Sequence, residues 1–347
     1  MISLTVLWSR WKVWWLSALN GALLGCLFRF GFDNRWDQWF GYSSATAALL
    51  VTCSFLAVMP FATGYLGVRQ YLSKTPLGNL AWYKWLFLPC ISVLVMMLVT
   101  IAVKWEGFVC LLFASPIMFV FAVLGGITAR IVWGRFARRS PGIISAYALP
   151  LLLIVIESQI PSPWQIRTVH TEILIHAPAQ TVWDNIKSVR AIAPSELPSS
   201  WINRIGFPKP IAATLSHEGI GGVRQASFTG GLIFTETVHQ WQPNQDLAFS
   251  IRANTDAIPR TTLDEHVTIG GPFFDVLDGE YQIDSRSDGV LLRLDSRQRL
   301  STHLNRYASL WTDAVMRAIQ NQILFVIRAR CEAASNNSID AVTTPGR

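Results

Sequence analysis

The residues best suited to chemistry in this sequence are a glutamate and an arginine on two neighbouring stretches that alternate like β-strands. Glu236 lies between Phe234 and Val238 and therefore faces the same side of its strand as these apolar residues. If that side is the interior, burial raises the pKa of Glu236, which could then anchor a ligand or act as a general acid or base. A bulged or flipped strand would leave Glu236 in solvent. Arg224, on the apolar face of the preceding stretch, could pair with Glu236, and we expect mainly a structural ion pair.

Other catalytic and cofactor chemistries have no pattern to support them. The six histidines have no zinc-ligand spacing, and Cys331 is the sole cysteine after residue 160, which leaves no disulfide framework. Glycine pairs such as Gly270-Gly271 are not followed by a helix, so a phosphate-binding loop is not predicted. No serine or cysteine lies in a nucleophile elbow. The sequence therefore predicts no metal and no cofactor.

The elements that must position Glu236 begin with a strand that turns directly into a helix, within residues 167–184. Apolar and polar residues alternate up to Ile175, Ala177-Pro178 ends the strand, and Val182 and Trp183 give the short helix an apolar side. A second short helix is predicted at 194–204. Strands are predicted at 212–217, 221–229, 232–241, 247–252, 263–269, 280–286 and 290–300. Asp288-Gly289 is a strong hairpin turn between the last two strands, and a long amphipathic helix follows at 303–331.

This order predicts an α+β domain in which a curved antiparallel sheet wraps around the long C-terminal helix. Such an arrangement leaves a space between sheet and helix, and ligand cavities of this kind are mostly apolar with a few polar groups. We expect nine residues to line it: Phe228, Phe234, Glu236, Phe249, Tyr281, Leu292, Leu294, Trp311 and Val315. An ordinary packed core shows the same aromatic stripe, so pocket lining and core overlap.

The first 160 residues are rich in Trp, Leu and Phe and contain long uncharged runs. A bilayer-spanning helix needs about 20 mostly apolar residues, and five segments are candidates: 13–28, 44–68, 85–103, 107–129 and 143–160. We therefore predict an all-α transmembrane bundle at 1–160, the sheet domain at 161–332, and a disordered polar tail at 333–347.

Positive residues in the short loops predict the orientation of this bundle. With the N-terminus inside, nine Lys and Arg residues lie on the inner side and three on the outer side. Five crossings then place the sheet domain outside the cytoplasm, in a multi-pass protein of the cell membrane. If the first or fifth segment does not cross, the domain changes sides. The net charge of +7 sits largely in these loops, so nucleic acid is not predicted as a partner.

The second half of the chain resembles the helix-grip (START-like, SRPBCC) superfamily, which includes polyketide cyclase/dehydrase and lipid-transport-like proteins. The resemblance covers residues 166–332 and rests on the order of elements, the opening EILIHAPAQTVWD and the closing helix. It extends to membrane-tethered members through a Pro-Lys-Pro turn at 208–210, Gly-Gly-Val-Arg at 221–224 and Trp-Gln-Pro at 241–243. It implies a pocket for a hydrophobic ligand and does not imply one activity.

Three functions remain open on these grounds. The first is a membrane-anchored protein that binds a small lipid, isoprenoid or polyketide-like ligand, with membrane lipids as its neighbours. The second is a cyclase or dehydratase that uses Glu236 on an apolar substrate. The third is a non-catalytic module that docks another envelope protein. We expect a binding protein rather than an enzyme.

Overall fold

The structure is a computed structural model that describes residues 4–31, 53–74, 82–104, 107–136, 148–149, 152–153, 156–157, 160–254, 269–271 and 273–343. Contacts divide the chain into two compact units. The helical unit comprises Met1–Pro163 with Asp264–His266 and Thr302–Leu304, and the sheet unit comprises Trp164–Leu263, Val267–Ser301 and Asn305–Arg347.

Four α-helices of more than ten residues are described in the helical unit. They are α1 (Leu4–Gly31), α2 (Met59–Ser73), α3 (Trp82–Ala102) and α4 (Phe108–Phe136). A short π-helix, Ser54–Val58, leads directly into α2. Most of the predicted fifth segment, 143–160, and the first part of the second lie outside the described residues.

The described helices do not support five membrane spans. One of them, Phe108–Arg135 within α4, is long and apolar enough to cross a bilayer by length and composition, and Leu86–Ala102 is a shorter apolar helix. The predicted segments 13–28, 85–103 and 107–129 do coincide with α1, α3 and α4, so the elements were predicted but the number of spans was not.

Glycines bring the helices of this unit into backbone contact. A Cβ atom at Gly64 would lie 2.0 Å from the carbonyl oxygen of Ala122, and one at Gly125 would lie 2.0 Å from that of Phe61. Helices α2 and α4 are therefore as close as their backbones allow. Gly21 and Gly25 of α1 lie against Ser92 and Met96 of α3. Small residues at such crossings are typical of membrane helix packing.

The beginning of the π-helix is capped from a distant part of the sequence. Oε1 of Glu157 accepts a hydrogen bond from the backbone N–H of Cys53 at 2.7 Å. Its Oε2 accepts from the N–H of Ser54 at 2.8 Å and from the Ser54 hydroxyl at 2.6 Å. The carboxylate thus satisfies donors that a helix start leaves unpaired.

Among its described residues, the sheet unit has seven antiparallel strands in the order β1-β7-β6-β5-β4-β3-β2. These are β1 (Trp164–Ile175), β2 (Pro210–Leu215), β3 (Val223–Phe228), β4 (Ile233–Gln242), β5 (Asp246–Asn254), β6 (Phe274–Arg286) and β7 (Gly289–Ser301). Between β1 and β2 lie α5 (Ala179–Lys187), a 3-10 turn (Pro194–Glu196) and α6 (Trp201–Arg204). The last element is α7 (Asn305–Thr343).

One face of the sheet is covered by α5 and α7, and we call it the inner face. Leu324 and Ile327 of α7 and Val182 of α5 belong to the same buried cluster as residues of β4 to β7. The opposite, outer face is polar. Register shifts within β4 and β6 mark β-bulges, which bend strands. The unit therefore has the predicted helix-grip architecture.

The predicted strand–helix opening and the final hairpin are confirmed. Pro178 is the N-cap of α5 rather than its first helical residue. Gly289 pairs with Arg286 at the hairpin and has φ of 147°. A Cβ there would lie 2.3 Å from the carbonyl oxygen of Ile175, so the position requires glycine. The strand predicted at 263–269 lies almost wholly outside the described residues.

Helix α7 is longer than predicted. It continues to Thr343 and so covers most of the segment that was expected to be disordered. The stretch after residue 332 is polar but contains no proline or glycine before Pro345-Gly346, and polar residues alone do not end a helix.

Candidate functional site

The apolar interior of the sheet unit is divided into three clusters. The central cluster includes Phe249, Tyr281 and Leu292 with α5 and α7. A second cluster surrounds Ala226 and Phe228. A third consists of Val169, Val276 and Met316. A small domain usually has one contiguous core, so the region between these clusters is where a site would lie.

A buried ion pair occupies that region, as predicted. Arg224 and Glu236 face each other across β3 and β4, and they are 3% and 6% exposed. The Nη1 atom of Arg224 donates a hydrogen bond to Oε2 of Glu236. On its other side Glu236 is paired in register with Ile251 of β5. The alternation of β4 therefore holds, and Glu236 points to the inner face.

Burial and pairing act in opposite directions on this pair. Burial raises the pKa of Glu236, and the adjacent guanidinium opposes that shift. For Arg224, burial disfavours the charged form. The electrostatic effect of Glu236, followed by that of Tyr281, outweighs burial, so the pKa of Arg224 is raised. Because a guanidinium stays protonated in proteins, we take the pair to be ionised and neutral as a whole.

Arg224 reaches across three strands and retains a free donor. Its guanidinium carbon lies 5.4 Å from the ring centre of Phe249 on β5 and 5.9 Å from that of Tyr281 on β6. Among the described residues, the buried Nε of Arg224 has no hydrogen-bond partner. Gly279 makes room for this arrangement, since a Cβ there would lie 2.8 Å from the Phe249 ring. Burial raises the pKa of Tyr281 as well.

Apolar side chains around the pair are not fully buried. Phe234 and Ile319 pack against the second cluster while remaining partly exposed. Ile251 and Ile323 do the same beside the central cluster. Phe234 lies two residues before Glu236 on β4, and Ile251 is the register partner of Glu236 on β5. Ile319 and Ile323 lie on α7.

The other residues predicted to line the pocket divide into two groups. Phe228, Phe249, Tyr281, Leu292 and Leu294 are buried on the inner face, where Phe228 and Phe234 stack edge to face with ring centres 5.3 Å apart. Trp311 and Val315 lie on α7 but are partly exposed and belong to none of the three clusters. Met316, Ile319 and Ile323 of α7 pack against the clusters instead. Ile319 and Ile323 belong to the apolar side that the sequence predicts for this helix, so only its first part differs from the prediction.

Gln320 is a buried polar residue of α7 that a hydropathy pattern does not predict. Its side chain receives a hydrogen bond from the Thr171 hydroxyl at 3.2 Å. Its Nε2 donates to the Ser296 hydroxyl at 2.9 Å and to the carbonyl oxygen of Val169 at 3.3 Å. About two turns earlier, Asp313 accepts from Nε of Arg167 at 3.1 Å. Polar contacts therefore orient α7 over β1 and β7.

Polar groups on the outer face form pairs with each other. His170 lies 2.8 Å from Asp295, and Arg293 lies 3.6 Å from Glu172. Within the described residues no group of three or more His, Cys, Asp and Glu could hold a metal ion. A shallow polar groove of about 420 Å³ lies on this face, lined by Gln245, Asp246, Gln282, Ile283, Asp284, Leu291 and Arg293. It is separate from the ion pair.

The turn before β6 is packed rather than open. Phe273 is buried, and its carbonyl oxygen accepts a hydrogen bond from the N–H of Ser301 at 2.8 Å. Phe274 is the first residue of β6. Phe273 and Phe274 therefore pack within the sheet unit.

No family model and no curated protein matches the chain. Solved structures similar to it include DynU16, a protein of the dynemicin biosynthetic locus, at 14% identity and a TM-score of 0.30. The match covers 48% of this chain and about half, 48%, of DynU16. The Aha1 dimer from Colwellia psychrerythraea is 13% identical, with 48% and 96% of the two chains covered and a TM-score of 0.28.

A third similar structure is the AHSA1-like protein from Aeromonas hydrophila. It is 16% identical, with 48% of this chain and 94% of that chain covered and a TM-score of 0.28. Identities in this range concern the fold alone. The helix-grip assignment rests on the strand order and on the position of α7 described above.

Proposed function

We propose that this chain is a membrane-anchored protein whose sheet unit binds a small hydrophobic ligand on its inner face, between β3, β4, β5 and α7. The observation that carries the proposal is the buried Arg224–Glu236 pair among partly exposed apolar side chains. Ligand sites combine an apolar lining with a few polar groups that fix orientation. Burial of a charged pair does little for stability by itself, which favours a binding role.

The helical unit supports the membrane part of the proposal. Large apolar side chains point outward from α1, α3 and α4, and many are about half exposed: Leu16, Leu19, Leu23, Leu27, Phe87, Leu98 and Val120. A continuous apolar surface of this kind is unfavourable in water and suits lipid. We propose that α4 crosses the bilayer. Further crossings, and the location of the sheet unit outside the cytoplasm, are proposals that rest on the loop charges alone.

A photoactivatable octadecane probe tests the ligand site in the full-length chain, reconstituted in phosphatidylcholine nanodiscs. After illumination, mass spectrometry maps the labelled residues. We expect labels at 234–251 and 315–323 in the sheet unit, in addition to the outer surfaces of α1, α3 and α4. Labels confined to the helical unit would contradict ligand binding by the sheet unit.

Two tryptophan variants on the same helix make this test specific. Ile319→Trp adds volume on the inner face and should reduce labelling of the sheet unit. Leu310→Trp makes a similar change at a position that is 64% exposed and should leave the labelling unchanged. An equal loss of sheet-unit labelling in both variants would indicate that the substitutions disturb α7 as a whole.

An enzymatic role for Glu236 is the second candidate, and it is favoured by the raised pKa of this buried carboxyl group. A general base needs an accessible, correctly protonated group near its substrate, whereas Oε2 of Glu236 is engaged by Arg224. Binding is therefore the better supported function. The test is whether a Glu236→Gln variant that still folds turns over an apolar carbonyl substrate of the wild-type protein. Loss of turnover in this variant would favour the enzymatic role over binding.

A further inference from the structure

We infer, on the basis of the proposed ligand site, that the ligand is electrically neutral and ends in an oxygen atom that accepts a hydrogen bond from Nε of Arg224. The ligand class is thus a long-chain alcohol, ester or ketone rather than a fatty acid anion or a plain hydrocarbon.

Arg224 has one hydrogen-bond donor that no acceptor of the described residues engages. The Nε atom of Arg224 is buried and has no hydrogen-bond partner among the described residues. Buried N–H groups are almost always paired in proteins, and an exception calls for an explanation. The Tyr281 hydroxyl also interacts with this guanidinium, but the Nε atom itself remains without a partner in the part of the chain that the structure describes. A ligand oxygen is the acceptor that would satisfy it.

The second step is the charge of the site. Arg224 is already neutralised by Glu236, which contacts its Nη1 atom. A carboxylate ligand would place a second negative charge beside the same guanidinium and leave a net charge of −1 in a buried environment, which is unfavourable. A neutral oxygen accepts the hydrogen bond without this penalty. The ion pair thus selects against anions.

The third step is the position of the apolar part. Glu236 is paired with Ile251 in register, and Phe234 is the next residue of β4 on the same face. Both side chains are partly exposed while they pack against buried clusters. A chain that starts at Nε of Arg224 would therefore follow Phe234 and Ile251 along β4 and β5, on the sheet face that α7 covers.

The test is a competition against the photoactivatable octadecane probe, with the full-length chain in phosphatidylcholine nanodiscs. The competitors share one chain length: 1-octadecanol, methyl octadecanoate, octadecane and the permanently anionic octadecane sulfonate. We expect the alcohol and the ester to displace the probe from the sheet unit about tenfold better than octadecane, the ratio that corresponds to one net hydrogen bond. The sulfonate should be the weakest competitor with a polar end.

A variant that changes the charge of the site should reverse the expected order of the competitors. In Glu236→Gln the amide oxygen can still accept from Arg224, but the guanidinium charge is no longer neutralised. The sulfonate should then improve at least about tenfold relative to the alcohol. Glu172→Gln makes the same chemical change in the exposed Glu172–Arg293 pair of the outer face and should leave the wild-type order unchanged.

The outcomes separate the inference from the proposed function. Absence of probe labelling in the wild-type sheet unit overturns the proposed function. Labelling that all four competitors displace equally, or that the sulfonate displaces best, overturns the inference while ligand binding stands. If Glu236→Gln does not fold, the order of the competitors on the wild-type protein decides alone.

Discussion

In α1 of the helical unit, Leu16, Leu19 and Leu23 face outward while Ser17 and Gly21 on the other side are buried. In β7 of the sheet unit the order is reversed, because Leu292 and Leu294 are buried and Arg293 is exposed. The helical unit also buries large apolar residues such as Met59, Met96 and Met118, so what distinguishes it from the sheet unit is its outer surface. Large apolar residues on the outside suit a lipid solvent, whereas polar residues on the outside suit water.

The buried Arg224–Glu236 pair is an exception to the apolar interior of the sheet unit. This exception is what connects the comparison of the two units with function. The helical unit buries polar groups that close hydrogen bonds within or between helices, as Ser54 does with Glu157. The sheet unit buries a full charge pair and leaves one donor of Arg224 unpaired. The first arrangement stabilises packing, and the second is incomplete without a further acceptor.

The largest effect is expected from breaking this pair on one side. Arg224→Met leaves the Glu236 carboxyl group buried without its partner, which should cost about 3–5 kcal/mol of unfolding free energy. Replacing both residues, as Arg224→Met with Glu236→Leu, should recover most of that loss. Denaturant unfolding monitored by circular dichroism measures the difference, and Arg293→Met on the outer face serves as the control, with a loss below about 1 kcal/mol. A double variant as unstable as the single one would contradict a neutralising role.

A lysine placed on an exposed apolar position distinguishes the surroundings of the two units. Val120, near the middle of α4, is 57% exposed, and Ile220 in the sheet unit is 71% exposed. If α4 crosses a bilayer, Val120→Lys should disfavour insertion by about 3 kcal/mol, while Ile220→Lys should cost almost nothing. The measurement is the fraction of protein retained in carbonate-washed membranes. Equal retention of both variants in the membrane would contradict the proposal that α4 crosses the bilayer.

Backbone contact in the helical unit predicts a smaller loss. Gly125→Ala brings a methyl group to 2.0 Å from the Phe61 carbonyl oxygen, and backbone atoms cannot move aside easily. We expect a loss of about 1–3 kcal/mol, seen as a lower temperature of aggregation in detergent. Gly134→Ala in the same helix meets nothing closer than 3.6 Å and should be neutral or stabilising, because alanine favours helix. If the two variants behave alike, the helices are packed less closely than described.

Strand alternation was enough to predict the inward direction of Glu236 and its pairing with Arg224, since both follow from a period of two. It could not predict that Arg224 extends past Glu236 to Tyr281, because reach depends on side-chain conformation and on the space left by Gly279. The burial of Gln320 on α7 was missed for a related reason. Gln320 is polar, and a hydropathy pattern places it at the surface although its hydrogen bonds are all internal.

The number of spans was overestimated for a different reason. Composition identified the apolar segments near α1, α3 and α4, but helix length and polar residues decide whether a segment can cross. The cap that Glu157 provides to Ser54 joins residues about a hundred positions apart, and no local pattern signals such a contact. Local rules therefore predicted the elements well, and the contacts between distant elements had to come from the structure.

The smallest expected effect concerns an ion pair at the edge of the inner face, which contrasts with the buried one. Nε of Arg330 donates to Oε1 of Glu196 at 2.7 Å, and this hydrogen bond, together with the N–H of Ala193, lowers the pKa of Glu196 to about 2. An unfolded chain has a glutamate pKa of about 4.3, so the folded state binds the proton less well. The stabilisation is complete above about pH 5 and is lost as the pH falls towards 2.

Because the Glu196 side chain is one-third exposed, at 33%, we expect this contribution to be no more than about 1 kcal/mol. Glu196→Gln should flatten the fall in thermal stability between pH 5 and pH 2.5, whereas Glu172→Gln should keep the wild-type profile. An unchanged profile in Glu196→Gln would show that other carboxyl groups control the acid response. The end of α7 would then be held mainly by the contacts of Arg330 with the carbonyl oxygens of Arg190 and Ala191, which do not titrate.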